Sequence, residues 1–151
     1  MTQQDKDLLL RDLCARLPYG VIIQHPEMFR PSIFVNEKLE EYYKGHFGYD
    51  GDDVEFVKPY LRPMSSMTEE EILLLYKALN FYYLFYPYDV TDEWRNFKEA
   101  IKENKLFLPY PIWDDDLEKG LDYLNSIHAD YRGLIEKGLA IEVTDENNPY
   151  K

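Results

Sequence analysis

Ser66-Met67-Thr68-Glu69-Glu70-Glu71 is the stretch on which the architecture turns. Thr68 can cap a helix, Glu71 three positions on can return the bond to the Thr68 backbone, and Met67 can pack on Ile72 as a hydrophobic staple, so a helix is expected from Glu69. Its pattern runs on through Leu73, Leu75, Tyr76, Leu79, Tyr82 and Tyr83, and Phe81 to Tyr86 is apolar or aromatic all round, as in a helix that is central or covered by a partner. Behind it Thr91 caps a second helix, with Asp92 and Glu93 in the first turn and Trp94, Phe97 and Ile101 as the buried stripe. Leu106 to Trp113, with Pro109 and Pro111, reads as extended linker. A third helix follows Asp114-Asp115-Asp116 and turns Leu117, Leu121, Leu124 and Ile127 inward. Asp130 is expected to cap a last short helix ended by Gly138, before a closing strand over Leu139–Val143.

Ahead of Ser66 the signals are those of strands. A short amphipathic helix with Leu9, Leu10, Leu13, Cys14 and Leu17 on its apolar face starts behind Asp5 and Asp7 and stops at Pro18. Tyr19–Ile23 and Ser32–Val35 are β-branched and aromatic runs separated by Pro26 and Pro31. Residues 37–49 fit helix or strand. Asp50-Gly51 signals a turn, and Val54-Glu55-Phe56 alternates behind it, with Pro59 setting that strand at an edge or end. The expected class is α+β: an N-terminal helix, a small antiparallel sheet or SH3-like barrel, then a helical C-terminal half with a short closing strand. One domain, 1–151, is expected, β-rich over about 19–62, helical over about 68–138 and flexible over about 144–151.

Charge narrows the function. The 151 residues carry a net charge of −12, with −6 in residues 1–75 and −6 in residues 76–151. Phosphate backbones are bound by lysine and arginine that displace counterions, so direct nucleic-acid binding is not expected. Cys14 is the one cysteine, which leaves no intrachain disulfide and suits a reducing compartment. The N-terminus has neither the basic region nor the apolar run of a signal peptide, and Phe81 to Tyr88 is far short of a membrane span. A cytoplasmic protein that does not enter membranes is the expectation.

Three blocks, Arg11–Val21, Lys58–Thr68 and Asp122–Ala140, together resemble a family of small, acidic, uncharacterised proteins from Bacteroides-type gut bacteria, often associated with prophage or other mobile elements. The resemblance implies a bacterial or phage-derived cytoplasmic protein with a role in mobile-element biology. It carries no catalytic residue over to this chain.

The residues offer few constellations for chemistry. His128, Asp130 and Arg132 combine an imidazole, a carboxylate and a guanidinium, the groups of acid–base catalysis, and are the catalytic candidates. The plainer account makes Asp130 an N-cap, His128 a cation in the last turn of a helix and Arg132 a partner for nearby acids. His25, His46 and the acidic runs Asp50–Glu55 and Asp114–Glu118 keep no metal-site spacing, and there is no phosphate-binding glycine motif, so neither metal nor cofactor is expected. The 14 tyrosines and 8 phenylalanines are a surplus for so small a core. Tyr82, Tyr83, Tyr86, Tyr88, Tyr110 and Trp113 are therefore candidates for a partner-binding face, which would receive another protein or, in a homodimer, a second copy. A non-enzymatic interaction or accessory protein of mobile-element origin is the leading expectation. An acidic DNA mimic that inhibits a nucleic-acid enzyme, and a small enzyme using His128 and Asp130, are the alternatives.

Overall fold

The computed structural model describes residues 1–27, 29–46, 52–108 and 111–151. The class is α+β, and the chain forms two compact units. Met1–Arg62 with Arg132–Lys151 makes one; Pro63–Tyr131 makes the other.

In the first unit, α1 (Gln3–Arg16) opens on a capping box: Thr2 Oγ1 accepts from the Asp5 amide at 3.1 Å and Asp5 accepts from the Thr2 amide at 3.1 Å. The Thr2 hydroxyl and amide bonds hold the Asp5 carboxyl below its ordinary value. The buried face is Leu9, Asp12, Leu13 and Arg16, while Cys14 is exposed, against the apolar face expected for it. Leu9 and Leu13 set the true stripe, and it takes in Asp12 and Arg16 because those two neutralise each other at i, i+4. Gly20, left-handed at φ +69°, ends the turn that follows.

Strands β1 (Ile22–Glu27) and β2 (Arg30–Lys38) form an antiparallel hairpin from Ile22↔Lys38 to Pro26↔Phe34, with a bulge between Pro26 and Glu27. Pro26 and Pro31 thus lie within strands rather than between them, one beside the bulge and one on an edge strand, the places where a sheet tolerates a missing N–H. The ambiguous segment resolves as α2 (Leu39–His46), seated by Leu39, whose amide donates to the Val21 carbonyl at 2.9 Å. The Asp50-Gly51 turn lies outside the described residues. Residues Asp52–Phe56 form a 3-10 helix, not a strand: Val54 and Val57 are both buried, and the Val57 amide closes on the Val54 carbonyl at 3.1 Å, a three-residue rather than a two-residue repeat.

The strand comes next, β3 (Lys58–Pro63), antiparallel to β1 through Ile23↔Pro59 and Gln24↔Lys58. In the second unit, α3 (Glu69–Ala78) carries the expected capping box, with the Glu71 amide on Thr68 Oγ1 at 3.2 Å and the Thr68 amide on Glu71 at 2.9 Å. The helix does not run through to Tyr83. Asn80 adopts φ +67°, which asparagine tolerates better than other side chains, and α4 (Phe81–Leu84) starts afresh. Helix α5 (Asp92–Lys102) begins at Thr91 as read, and α6 (Asp114–Ser126) takes the three aspartates into its first turn. Gly120 meets α3 where a Cβ would stand 2.8 Å from Leu79 Cγ and closer still to Cδ2. The core is aromatic, with Tyr76 at its hub: Trp94, Phe97 and Phe81 lie 5.0, 5.2 and 5.5 Å from its ring.

Strand β4 (Ala129–Asp130) contains the residue expected to cap a last helix. No helix follows it. Gly133 at φ +73° and Gly138 at φ +72° enclose too few residues, and what forms is a single turn closed by bonds from the Leu139 amide to Leu134 and from the Gly138 amide to Ile135. The return segment of the first unit then supplies Leu134, Leu139 and Ala140 to that unit's core. It adds β5 (Ile141–Glu142) in parallel to β3, so the sheet is mixed rather than antiparallel or barrel-like. The stretch read as flexible, 144–151, is tied back: Asn147 bonds Thr144 and Glu142, and the Tyr150 hydroxyl accepts from the Ile22 amide at 3.1 Å and donates to the Tyr60 carbonyl at 2.8 Å.

Candidate functional site

The break at Asn80 determines what the aromatic segment presents. With α4 only one turn long, its residues cannot all face inward, and they divide into two groups. Tyr82 and Tyr88 lean on the core, 4.8 Å apart, with Tyr88 set edge-on to Trp94 at 5.2 Å. Tyr83 and Tyr86 point to solvent at 75% and 73% exposure, and Leu84 and Val90 join them. Tyr82 links the groups, with its ring 5.3 Å from Tyr83 and 6.3 Å from Tyr86, and Lys77 Nζ caps its face at 4.8 Å. The outer rings are therefore mounted on rigid inner ones, and contact with a partner would cost little further side-chain entropy.

Of the six aromatic candidates, Tyr83 and Tyr86 form this face and Tyr82 and Tyr88 support it. Trp113 is 82% exposed at the start of α6, and Tyr110 lies outside the described residues. Leu84 and Val90 are not among the residues expected from the sequence: Leu84 lies in the apolar run read as central or covered by a partner, and Val90 lies beyond it. The segment Ala78–Trp94 contains no lysine or arginine, while Asp89, Asp92 and Glu93 lie within it; Lys77 and Arg95 flank it, the latter 3.2 Å from Asp92.

The catalytic candidates are differently placed. His128 follows α6 in the left-handed region at φ +60°, its amide on the Asn125 carbonyl at 3.1 Å, so it ends the helix rather than occupying its last turn. Asp130 is 5% exposed. Arg132 belongs to the first unit, where its Nε stands 3.3 Å from Asp12. Asp12 in turn holds Arg16 Nε at 2.7 Å, both side chains being fully buried. The i, i+4 spacing of Asp12 and Arg16 could have disclosed the first pair, but not its burial. His25 is also engaged, with Nε2 3.0 Å from Glu37, Nδ1 2.9 Å from the Pro26 carbonyl and its ring 4.5 Å from Tyr42.

Among the described residues no three metal-ligating side chains are grouped, and no helix is long and apolar enough to cross a membrane. Fold and surface together define an α+β protein with an exposed aromatic face. Comparison with protein-family models, curated proteins and solved structures finds no match.

Proposed function

We propose that this chain is an interaction protein that engages another protein through the aromatic face of Tyr83, Leu84, Tyr86 and Val90. The observation that carries the reading is the exposure of these four large side chains within the eight residues Tyr83 to Val90, on rings fixed by Tyr82 and Tyr88. Tyrosines held rigidly at a surface supply contact area at low entropic cost, and exposed apolar clusters of this kind mark interaction sites. Resemblance of the three sequence blocks to the mobile-element family supports a setting in phage or mobile-element biology. The enzyme reading has less behind it, since Asp130 is all but closed to a substrate.

The test is affinity capture from the source cell with wild type and with the double variant Tyr83→Ser/Tyr86→Ser. A protein retained by wild type and lost by the double variant, at an unchanged melting temperature, is the expected result. Capture that survives the double variant and disappears only at high salt would favour carboxylate mimicry of a nucleic acid instead.

A further inference from the structure

We propose that Trp94, Tyr88 and Tyr82 form a relay of oxidisable rings that carries an electron vacancy from the core of the second unit to Tyr83 and Tyr86, the sites at which a one-electron oxidant modifies this chain. The rings are in contact from end to end. Trp94 is buried, Tyr88 lies 5.2 Å from it, Tyr82 lies 4.8 Å from Tyr88, and Tyr83 and Tyr86 lie 5.3 and 6.3 Å from Tyr82. Electron tunnelling falls off steeply with distance, so short steps between touching rings outrun one long step from the indole to the surface. Indole and phenol can take part, whereas the ring of phenylalanine is far harder to oxidise. The other rings against Trp94 are Tyr76 and Phe97, and Tyr76 leads on to Phe81, to Phe97 and back to Tyr88. Among the described residues the oxidisable route out of this core therefore passes through Tyr88 and Tyr82.

Burial and charge set its direction. Loss of an electron from Trp94 leaves a cation in an apolar core, and Lys98 Nζ, 5.2 Å from the ring, opposes that cation. A phenol that returns the missing electron restores the indole and sheds its hydroxyl proton, which leaves a neutral phenoxyl. The vacancy thus settles where water can take the proton, and Tyr83 and Tyr86 are at that end. Tyr76 is not: its ring is fully buried, and burial pushes its phenol up. Phenoxyls of two molecules then join by a carbon–carbon bond ortho to oxygen, and the hydrogens on those carbons return to the oxygens as the rings regain aromaticity. Two tyrosines become one dityrosine, with two protons released to water and two electrons taken by the oxidant. The relay does not depend on the aromatic face binding a partner.

The chain has two tryptophans, and Trp113 is exposed and outside the relay, so the test uses the full chain carrying Trp113→Phe, in which Trp94 is the one indole. Light at the red edge of the absorption band, which excites indole and not phenol, is applied with hexaamminecobalt(III), which takes one electron to give an unreactive cobalt(II) product. Transient absorption should show the indole radical decaying as phenoxyl rises. Denaturing gels and peptide mass spectrometry should then show a covalent dimer joined through Tyr83 or Tyr86. Tyr88→Phe in the same chain keeps the ring but removes the step, so the dimer should be lost and oxygenated products of Trp94 should accumulate in its place. Tyr83→Phe/Tyr86→Phe should keep the phenoxyl rise and lose the dimer. The transient measurement needs no substitution within the relay, so it decides even where Tyr88→Phe unfolds. No phenoxyl rise, no dimer or cross-links through other tyrosines in the Trp113→Phe chain, or an undiminished dimer with Tyr88→Phe, would each overturn the proposal.

Discussion

A carboxylate with no access to water holds two guanidiniums in the first unit: Asp12 stands 2.7 Å from Arg16 and 3.3 Å from Arg132. Removing it strands the charge of Arg16 in the interior, so Asp12→Ala should cost about 3–5 kcal/mol in urea unfolding, and Asp12→Asn, which keeps the volume but not the charge, nearly as much. Tyr150 makes the opposite kind of contribution, through a neutral group. Burial above all pushes its phenol up to about 12, against about 10 in the unfolded chain. The folded state therefore keeps a proton that the unfolded state has already lost, and the stability from this group is full below about pH 10 and falls as pH rises toward 12. Tyr150→Phe should lower stability by about 1 kcal/mol at neutral pH and flatten that alkaline fall in denaturant titrations. Part of the fall should remain, because burial also raises the phenol of Tyr76. Neither role was legible in the sequence. A charged residue on a helix ordinarily marks the exposed face, and a tyrosine one position from the end of the chain ordinarily frays.

Two helix starts could be read to the residue where strand ends could not, and the difference is one of range. Thr68 and Thr91 act on amides three residues ahead, so a short window holds the whole interaction, and both helices begin where these residues put them. Strand ends depend on pairing with residues far along the chain: β3 begins at Lys58, two residues after the stretch whose alternation suggested a strand, and Pro26 and Pro31 are compatible with strands only because of a bulge and an edge. The aromatic face was legible as a surplus of rings but not as a surface, because the left-handed Asn80 that turns α4 out of line with α3 has no strong signal of its own. Gly120, which the reading of the sequence did not single out, marks a close contact with Leu79. Gly120→Ala would drive a methyl group into the buried Leu79 side chain, and a loss of about 1–3 kcal/mol is expected in thermal or chemical unfolding. Leu79→Ala in the same chain should absorb most of that increment, which identifies the clash as its cause.

The chain reads as one domain of 151 residues, yet its apolar residues gather in two clusters that follow the two units. Pro63–Tyr131 is continuous and contains every residue of its own cluster. Expressed alone, it should give a helical spectrum and a cooperative melt. Met1–Arg62 alone should not, because Leu134, Leu139, Ala140 and Tyr150 reach its core and sheet from the far end of the chain; fused by a short linker to Arg132–Lys151 it should. The division was invisible to composition, since both halves of the sequence have the same charge and no linker of distinctive composition separates them. An inserted unit is also a tether. While Pro63–Tyr131 is folded, the ends it delivers to the first unit are held at a fixed separation. Once it melts, the first unit must close a floppy loop of about 70 residues, at an entropic cost on the order of 4 kcal/mol. Damage in the inserted unit is thereby transmitted to its host through the statistics of the connecting chain, with no contact between them required.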